Sequence, residues 1–262
     1  MKEIDIFAKR KISTFIVLAV FAILYVISAN LTNFGGPQAF VAVPEGIHWL
    51  FVHFVPTQES IEHFPVIMED LLSTVFISVA ATMVASVLSL FMAIIGSRET
   101  GLNAATKFIA KAIASIVRNI PLVAWSIMLL LSFRQSQFTG FFALFLTTFG
   151  HLTRAFMETI DNTSGGTIEA LQATGASYFH IIFQGVIPTV STQMVSWLLF
   201  MIENNIRDAT LIGIFTGTGI GYRFELFYRS FRYNAAGLVV LVIMLVVIGI
   251  ELLSNHIRRQ IL

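Results

Sequence analysis

The residues of this chain with a capacity for chemistry are few, and they gather at three places. The stretch "MIENNIRDATLIGIF" (201–215) sets Glu203, Asn204, Asn205, Arg207 and Asp208 inside an apolar run. Glu203 and Arg207 are four residues apart, so on a helix they share a face and can pair. A charge at the centre of a bilayer costs about 2.5–3.5 kcal/mol, so such groups pair or face a water-filled path. Two readings stand. Glu203 suits an ion pair that holds its helix in a bundle. Arg207, with the donors Asn204 and Asn205 alongside, equally suits the lining of an anion's path.

The second place is "TIEALQATGASYFHIIFQGVIP" (167–188), which carries Glu169, Gly175 and Pro188 and no Lys or Arg. Helix-forming residues run from Thr167 to Gln172, with Thr167 as a candidate cap, and Gly165 and Gly166 break the element before it. Gly175 supplies a turn or C-cap, and a second helical piece, 176–185, leads to Pro188. The third place holds Arg223, Arg229 and Arg232. A basic mouth attracts anions or matches an acidic patch on a partner, although solvated loop charge explains any one of the three as well.

Other chemistries lack their residues. There is no Cys, hence no disulfide and no thiolate metal site. His48 and His53 are five apart and do not share a helix face well, so a metal there is not expected. No His-Glu-x-x-His and no placed Ser–His pair supports an intramembrane enzyme. "TGTGIG" (216–221) lacks the dinucleotide spacing and reads as a flexible, helix-breaking outer loop, and no G-x-x-x-x-G-K-[ST] loop is present. The chain is not expected to be an enzyme or to hold a cofactor, and its net charge of +1 gives no argument for nucleic acid.

The elements that position these residues are membrane helices. The chain is 56% hydrophobic and 12% charged, against roughly 45–50% and about 25% for a soluble domain. Its basic N-terminus and following apolar run read as a retained anchor. Runs near the ~20 residues a span needs occur at 13–30, 71–97, 119–133, 135–153, 181–202 and 234–250. The expected fold is all-α: a polytopic bundle of about six transmembrane helices. The amphipathic piece 105–117 leads into the third span, which Pro121 kinks or starts. The expected organisation is an anchor at 1–30, an extracytoplasmic loop at 31–70, a core at 71–256 containing a coupling loop at 157–188, and a cytoplasmic tail at 257–262.

Orientation follows the Lys and Arg bias. Lys2, Lys9, Arg10 and Lys11 precede the first span and Arg258 and Arg259 follow the last, so both termini are expected in the cytoplasm. Residues 31–70 hold no Lys or Arg and five acidic residues, and fall outside. Within them "GIHWLFVHFVP" (46–56) reads as an interfacial element anchored by Trp49 and Phe51. Arg98, Lys107, Lys111 and Arg118 fall on an inner connection, although Arg118 and Asn119 before the Pro-broken helix equally suit a cavity; His151 and Arg154 read as snorkelling near the inner face, and 167–188 lies in the cytoplasm. Ala81, Ala85, Ser89 and Ala93 recur every four residues, for close packing inside the bundle or at a subunit interface.

"EALQATG", nine residues, then "GVIP" resembles the cytoplasmic EAA loop of ABC importer permeases. Glu169, Ala170, Gly175, Ala176, Ile187 and Pro188 fall at the family spacing. Leu171 stands where a second Ala is usual, and Gly185 where an Ile is usual. "VRNIPLVAW" (117–125), "IRDATLIGIFTGTGIG" (206–221) and "ALQATGAS" resemble the phosphonate-type permeases of that family, from about residue 66 to the end. The resemblance implies an inner-membrane permease subunit translocating phosphonate or a related phosphorus oxyanion. Its partners would be ATP-binding cassette subunits that dock on the coupling helix and use the ATP, an extracytoplasmic binding protein, and a second permease copy, identical or a paralogue. A permease for another solute, or a channel or carrier that needs no ATPase, is the alternative.

Overall fold

The computed structural model describes residues 6–32, 34 and 36–261; Lys2, one of the residues behind the expected orientation, lies outside them. Among the described residues every regular element is helical, as lipid requires of an open-ended chain, since each backbone N–H and C=O must then be satisfied within its own segment. Two compact units divide after His53. The first holds α1 (Ile6–Leu31) and α2 (Gly36–His53). The second holds α3 (Gln58–Ile61), α4 (Phe64–Gly96), α5 (Ala104–Asn119), α6 (Leu122–Phe133), α7 (Gln137–Thr163), α8 (Gly165–Ala173), α9 (Tyr178–His180), a π-helical turn (Ile181–Val186), α10 (Ile187–Thr216), α11 (Gly219–Arg229) and α12 (Tyr233–Ile261).

By length and composition four described helices can cross a membrane: 10–31, 64–96, 178–216 and 233–260. A fifth is formed by α5 and α6 if they count as one span bent by 90° at Pro121. The fourth expected span, 135–153, coincides with α7, which is not among these. The reason is its place. α7 packs on α4, α5, α6 and α10, and its apolar residues Leu144, Leu152 and Ile160 are fully covered by protein. A helix packed on four neighbours need not be apolar throughout: His151, Arg154 and Glu158 are exposed on its remaining side and Asp161 is half-buried.

Several boundaries move. The expected loop 31–70 is mostly helix: α2, α3 and the first turns of α4, which Pro65 helps to start. The expected tail 257–262 continues α12 to Ile261. The fifth span runs on to Thr216, where Gly217 caps it in the left-handed region (φ +67°). "TGTGIG" is a pinned corner rather than a flexible loop. Ile220 is fully buried, its N–H donates to Thr74 Oγ1 at 2.9 Å, and Gly213 and Gly221 let the α10 and α11 backbones touch. The small-residue row of α4 faces inward: Ala81, Ala85, Ser89 and Ala93 are all buried, and Ser89 Oγ donates to Phe149 O at 3.1 Å.

At the centre of the second unit Asn205 joins three helices. Its Nδ2 donates to Thr82 Oγ1 and Thr148 Oγ1, each at 2.7 Å, and its carbonyl accepts from Ser78 Oγ at 3.1 Å. Hydroxyls on α4 and α7 thus satisfy an amide that lipid could not. Interhelical hydrogen bonds of this kind contribute about 0.6–2 kcal/mol each. Asn205→Ala is expected to lower stability by about 1–3 kcal/mol, adding the cavity to the lost bonds. The check is the unfolding temperature in detergent; an unchanged value would show that Asn205 is not a structural node.

Candidate functional site

The stretch 167–188 forms a corner held on all its inner sides. α7 ends at Thr163, and Ser164 Oγ donates to Ile160 O at 2.6 Å. α8 starts at Gly165, so Thr167 is not its cap and Gly165–Gly166 belong to the helix rather than break it. Ile168 is buried with Met157, Ile160, Ile181 and Ile182, which fixes the rotation of α8. That rotation turns Glu169, Ala170, Ala173 and Gly175 outward. Gly175 adopts φ +75°, a region closed to most side chains. The N–H of Gly175 donates to Gln172 O at 3.0 Å and that of Ala176 to Leu171 O at 3.1 Å, the double bond pattern of a Schellman cap.

Beyond the cap the chain turns back as one continuous helix, Tyr178–Thr216, with no break at Pro188. Pro188 has no N–H to give residue 184 and its ring would crowd that carbonyl. The π turn Ile181–Val186 widens the helix just before it and absorbs the misfit. Here the two departures from the family pattern meet. A Cβ on Gly185 would lie 2.5 Å from Leu171 Cδ1. The larger residue on α8 fills the space left by the smaller one in the π turn.

Two further ties escaped the sequence reading. Tyr178 OH donates to Thr100 O at 3.0 Å, fastening the corner to the turn after α4. Asp161 Oδ1 accepts from Ser97 Oγ at 2.5 Å and from Arg98 N at 2.7 Å, fastening the end of α7 to the same turn. Neither residue has a local motif; each acts on a partner more than 60 positions away. Lys107 Nζ adds a bond to Arg98 O at 2.6 Å.

The polar group on α10 divides. Asn205 points into the bundle, where its amide is spent on Thr82 and Thr148. Glu203 is buried, its Oε1 paired with Arg207 and its Oε2 3.6 Å from Arg258 on α12. Arg258 was expected in a tail, so its place beside Glu203 was not legible without the length of α12. Arg207 is exposed, Asn204 is half-buried, and Arg207 Nη1 donates to Asn204 Oδ1 at 3.4 Å. Arg207 and Asn204 therefore open outward from α10, with Glu203 behind them and Asn205 inside.

Arg118 also moves. It ends α5 and lies over Gly150, whose Cβ would sit 2.7 Å from Arg118 N. Gly150 is near the middle of α7, so Arg118 lies on a helix packed into the bundle rather than in a loop. His151 and Arg154 are likewise more than two turns short of the end of α7, with Arg154 paired to Glu158 at 2.5 Å. The other arginines lie at the far end of α4 from the corner just described. Arg223 Nε donates to Asp70 at 2.6 Å, and Arg229 pairs with Glu225 at 2.6 Å. Arg232 is exposed and borders a cavity of about 220 Å³ with Ser60, His63 and Asn234. α4, 33 residues and roughly 50 Å long, separates the two ends. Among the described residues no cluster of His, Cys, Asp and Glu could hold a metal.

Known proteins share this architecture. Residues 85–261, about two thirds of the chain, match the family model of the binding-protein-dependent transport system inner membrane component. A phosphate-import permease protein of Mycolicibacterium smegmatis is 28% identical over 72% of this chain, which spans only 36% of that protein's length. A phosphite transport system permease protein of Stutzerimonas stutzeri is 26% identical over 74% of this chain and 70% of its own length. A cryptic phosphonate transport system permease protein of Escherichia coli is 30% identical over 45% of this chain and 97% of its own. Among solved structures, an amino acid ABC transporter chain superposes with a TM-score of 0.67 at 14% identity, and the inward-facing methionine transporter MetNI with 0.67 at 16%. Each covers 79% of this chain and 99% of the other, a likeness of fold. With the family match spanning the corner, the polar group of α10 and the far-end arginines alike, this chain belongs to the inner membrane components of binding-protein-dependent transport systems.

Proposed function

We propose that this chain is the membrane-spanning subunit of an ATP-driven importer that carries phosphonate, phosphite or a related phosphorus oxyanion handed over by a binding protein. The observation that supports it most is the corner 165–188. It is rigidly tied to α4, α7 and α10 on its inner side, while Glu169, Ala170 and Gly175 form an open outer face without Lys or Arg. A free cytoplasmic loop needs no such bracing; a surface that receives force does. The relatives named for phosphate, phosphite and phosphonate transport support the substrate class.

In this reading Glu169, Ala170, Gly175 and Ala176 meet the ATP-binding subunit in the cytoplasm, and Pro188 with its π turn stiffens the return into the membrane. ATP is bound and hydrolysed on that partner. Arg207 and Asn204 line the substrate's path, with Glu203 holding Arg207 in place and Asn205 holding α10. Arg223, Arg229 and Arg232 face outward, toward the binding protein. Both termini lie in the cytoplasm. One chain with one coupling corner is half of such a machine, so a second copy or a paralogue completes the path.

Three outcomes test this. Glu169→Lys and Gly175→Ala should leave membrane insertion intact and weaken co-purification of the ATPase roughly tenfold, the effect of about 1.4 kcal/mol at an interface. Full co-purification and full uptake in both variants would refute the coupling role. Gly185→Ile alone should overpack the corner at a cost of about 1–3 kcal/mol and uncouple ATP hydrolysis from uptake. Leu171→Ala in the same chain should restore coupling, since it returns the space; failure of rescue would mean that the Leu171–Gly185 fit does not set the corner. Arg207→Ala should lower uptake of methylphosphonate with assembly preserved. A loss of thermal stability with unchanged uptake would assign Arg207 to structure alone.

A further inference from the structure

One flank of the second unit sets a cluster of charged side chains against an aromatic wall. Arg118, His151, Arg154 and Glu158 border a cavity of about 170 Å³ whose opposite wall is Trp197 and Phe200 of α10. Their depth follows from the packing. Met157 lies against Gly96, the last residue of α4, and Gly150 lies against Arg118. Seven residues of α7 separate these two levels, so Arg118 sits about 10 Å further into the bundle than the end of α4. Arg118, His151, Arg154 and Glu158 are nonetheless exposed. At the centre of a bilayer each charge would cost about 2.5–3.5 kcal/mol. An exposed cluster of three formal charges beside a cavity suits water better than acyl chains.

The sign of the charge adds to this. Two arginines against one glutamate leave a net +1 with His151 neutral. Arg154 is engaged by Glu158, whereas Arg118 makes no ion pair among the described residues. A guanidinium fork matches phosphate-type oxygens two at a time. The cavity holds roughly six water volumes of about 30 Å³ each, enough for a small oxyanion with part of its hydration shell. On α10 the residues Trp197, Phe200, Asn204 and Arg207 are spaced three and four apart and share one face. Arg207 is ten residues beyond Trp197, about 15 Å along the helix.

We propose that the Arg118–Arg154 cavity is a second, inner anion station on the translocation path, reached from Arg207 along this face of α10. It takes a phosphorus oxyanion through the Arg118 guanidinium against the Trp197–Phe200 wall. Glu158 on Arg154, and Asp208 near both Arg207 and His151, keep binding weak enough for release. The assignment of oxyanion import rests on the function proposed above; the assignment of an aqueous, anion-attracting flank does not.

The chain has no Cys, so Ala155→Cys, on the cavity wall, introduces a single thiol. It is tested in the permease reconstituted with its ATPase and binding protein. A sulfonate-bearing thiosulfonate reagent should label this thiol several-fold faster than a trimethylammonium-bearing one. Arg118→Gln should abolish that preference, and millimolar methylphosphonate should slow labelling in the Arg118 chain only. Reaction with neither charged reagent, or a preference for the cation, would overturn the station. Uptake of methylphosphonate unaltered in Arg118→Gln would overturn it too, while leaving the import reading intact. The charge preference together with no uptake or protection by any phosphorus oxyanion would keep an anion-attracting flank and refute the substrate class.

Discussion

Every polar group that this chain sends below the lipid headgroups must find its partner in protein or in water that the protein admits. That constraint sorts the side chains of α10 more sharply than their identities do. Asn205 meets it within the bundle, using two threonine hydroxyls on other helices. Glu203 meets it with two guanidinium groups, one on its own helix and one on α12. Arg207 meets it only in part, and the rest of its donors face outward. These three polar residues, within five positions, thus divide into buried and outward-facing according to which way the helix turns them.

The corner 165–188 is also heavily tied. Outside the membrane the chain could form a water-solvated loop at no penalty. Instead Ile168 enters the core, Tyr178 reaches the turn after α4, and Asp161 caps that same turn. Each bond spans a long sequence separation and so restricts much chain conformation. The large residue at 171 fits against the small one at 185, so packing volume couples the two positions.

What could be read from sequence was whatever has a period or a local signature. Apolar runs gave the helices, the row from Ala81 to Ala93 gave the inner face of α4, and Gly175 gave the turn. What could not be read was depth. Arg118, His151 and Arg154 looked like residues of the inner edge, because their distance from the end of a helix depended on α5 bending at Pro121 and on α7 continuing to Thr163. Arg258 looked like tail for the same reason. α7 carries His151, Arg154, Glu158 and Asp161 because a helix packed on four others need not be apolar on every side. Asp161 and Tyr178 act across more than 60 residues and leave no mark on their neighbours.

One element joins these themes. The helix from Tyr178 to Thr216 begins at the coupling corner, carries Trp197, Phe200, Asn204 and Arg207 along one face, and ends in the buried corner that packs on Thr74. At 39 residues it is about 58 Å long. Its single irregularity, the π turn, is filled by Leu171 and therefore stiffened where it would otherwise yield. The face opposite is built on α5 and α7, and the turn after α4 is tied both to α7 through Asp161 and to α10 through Tyr178. Both walls are thus anchored at that turn, and the basic cavity beside Gly150 lies about 10 Å further along α7.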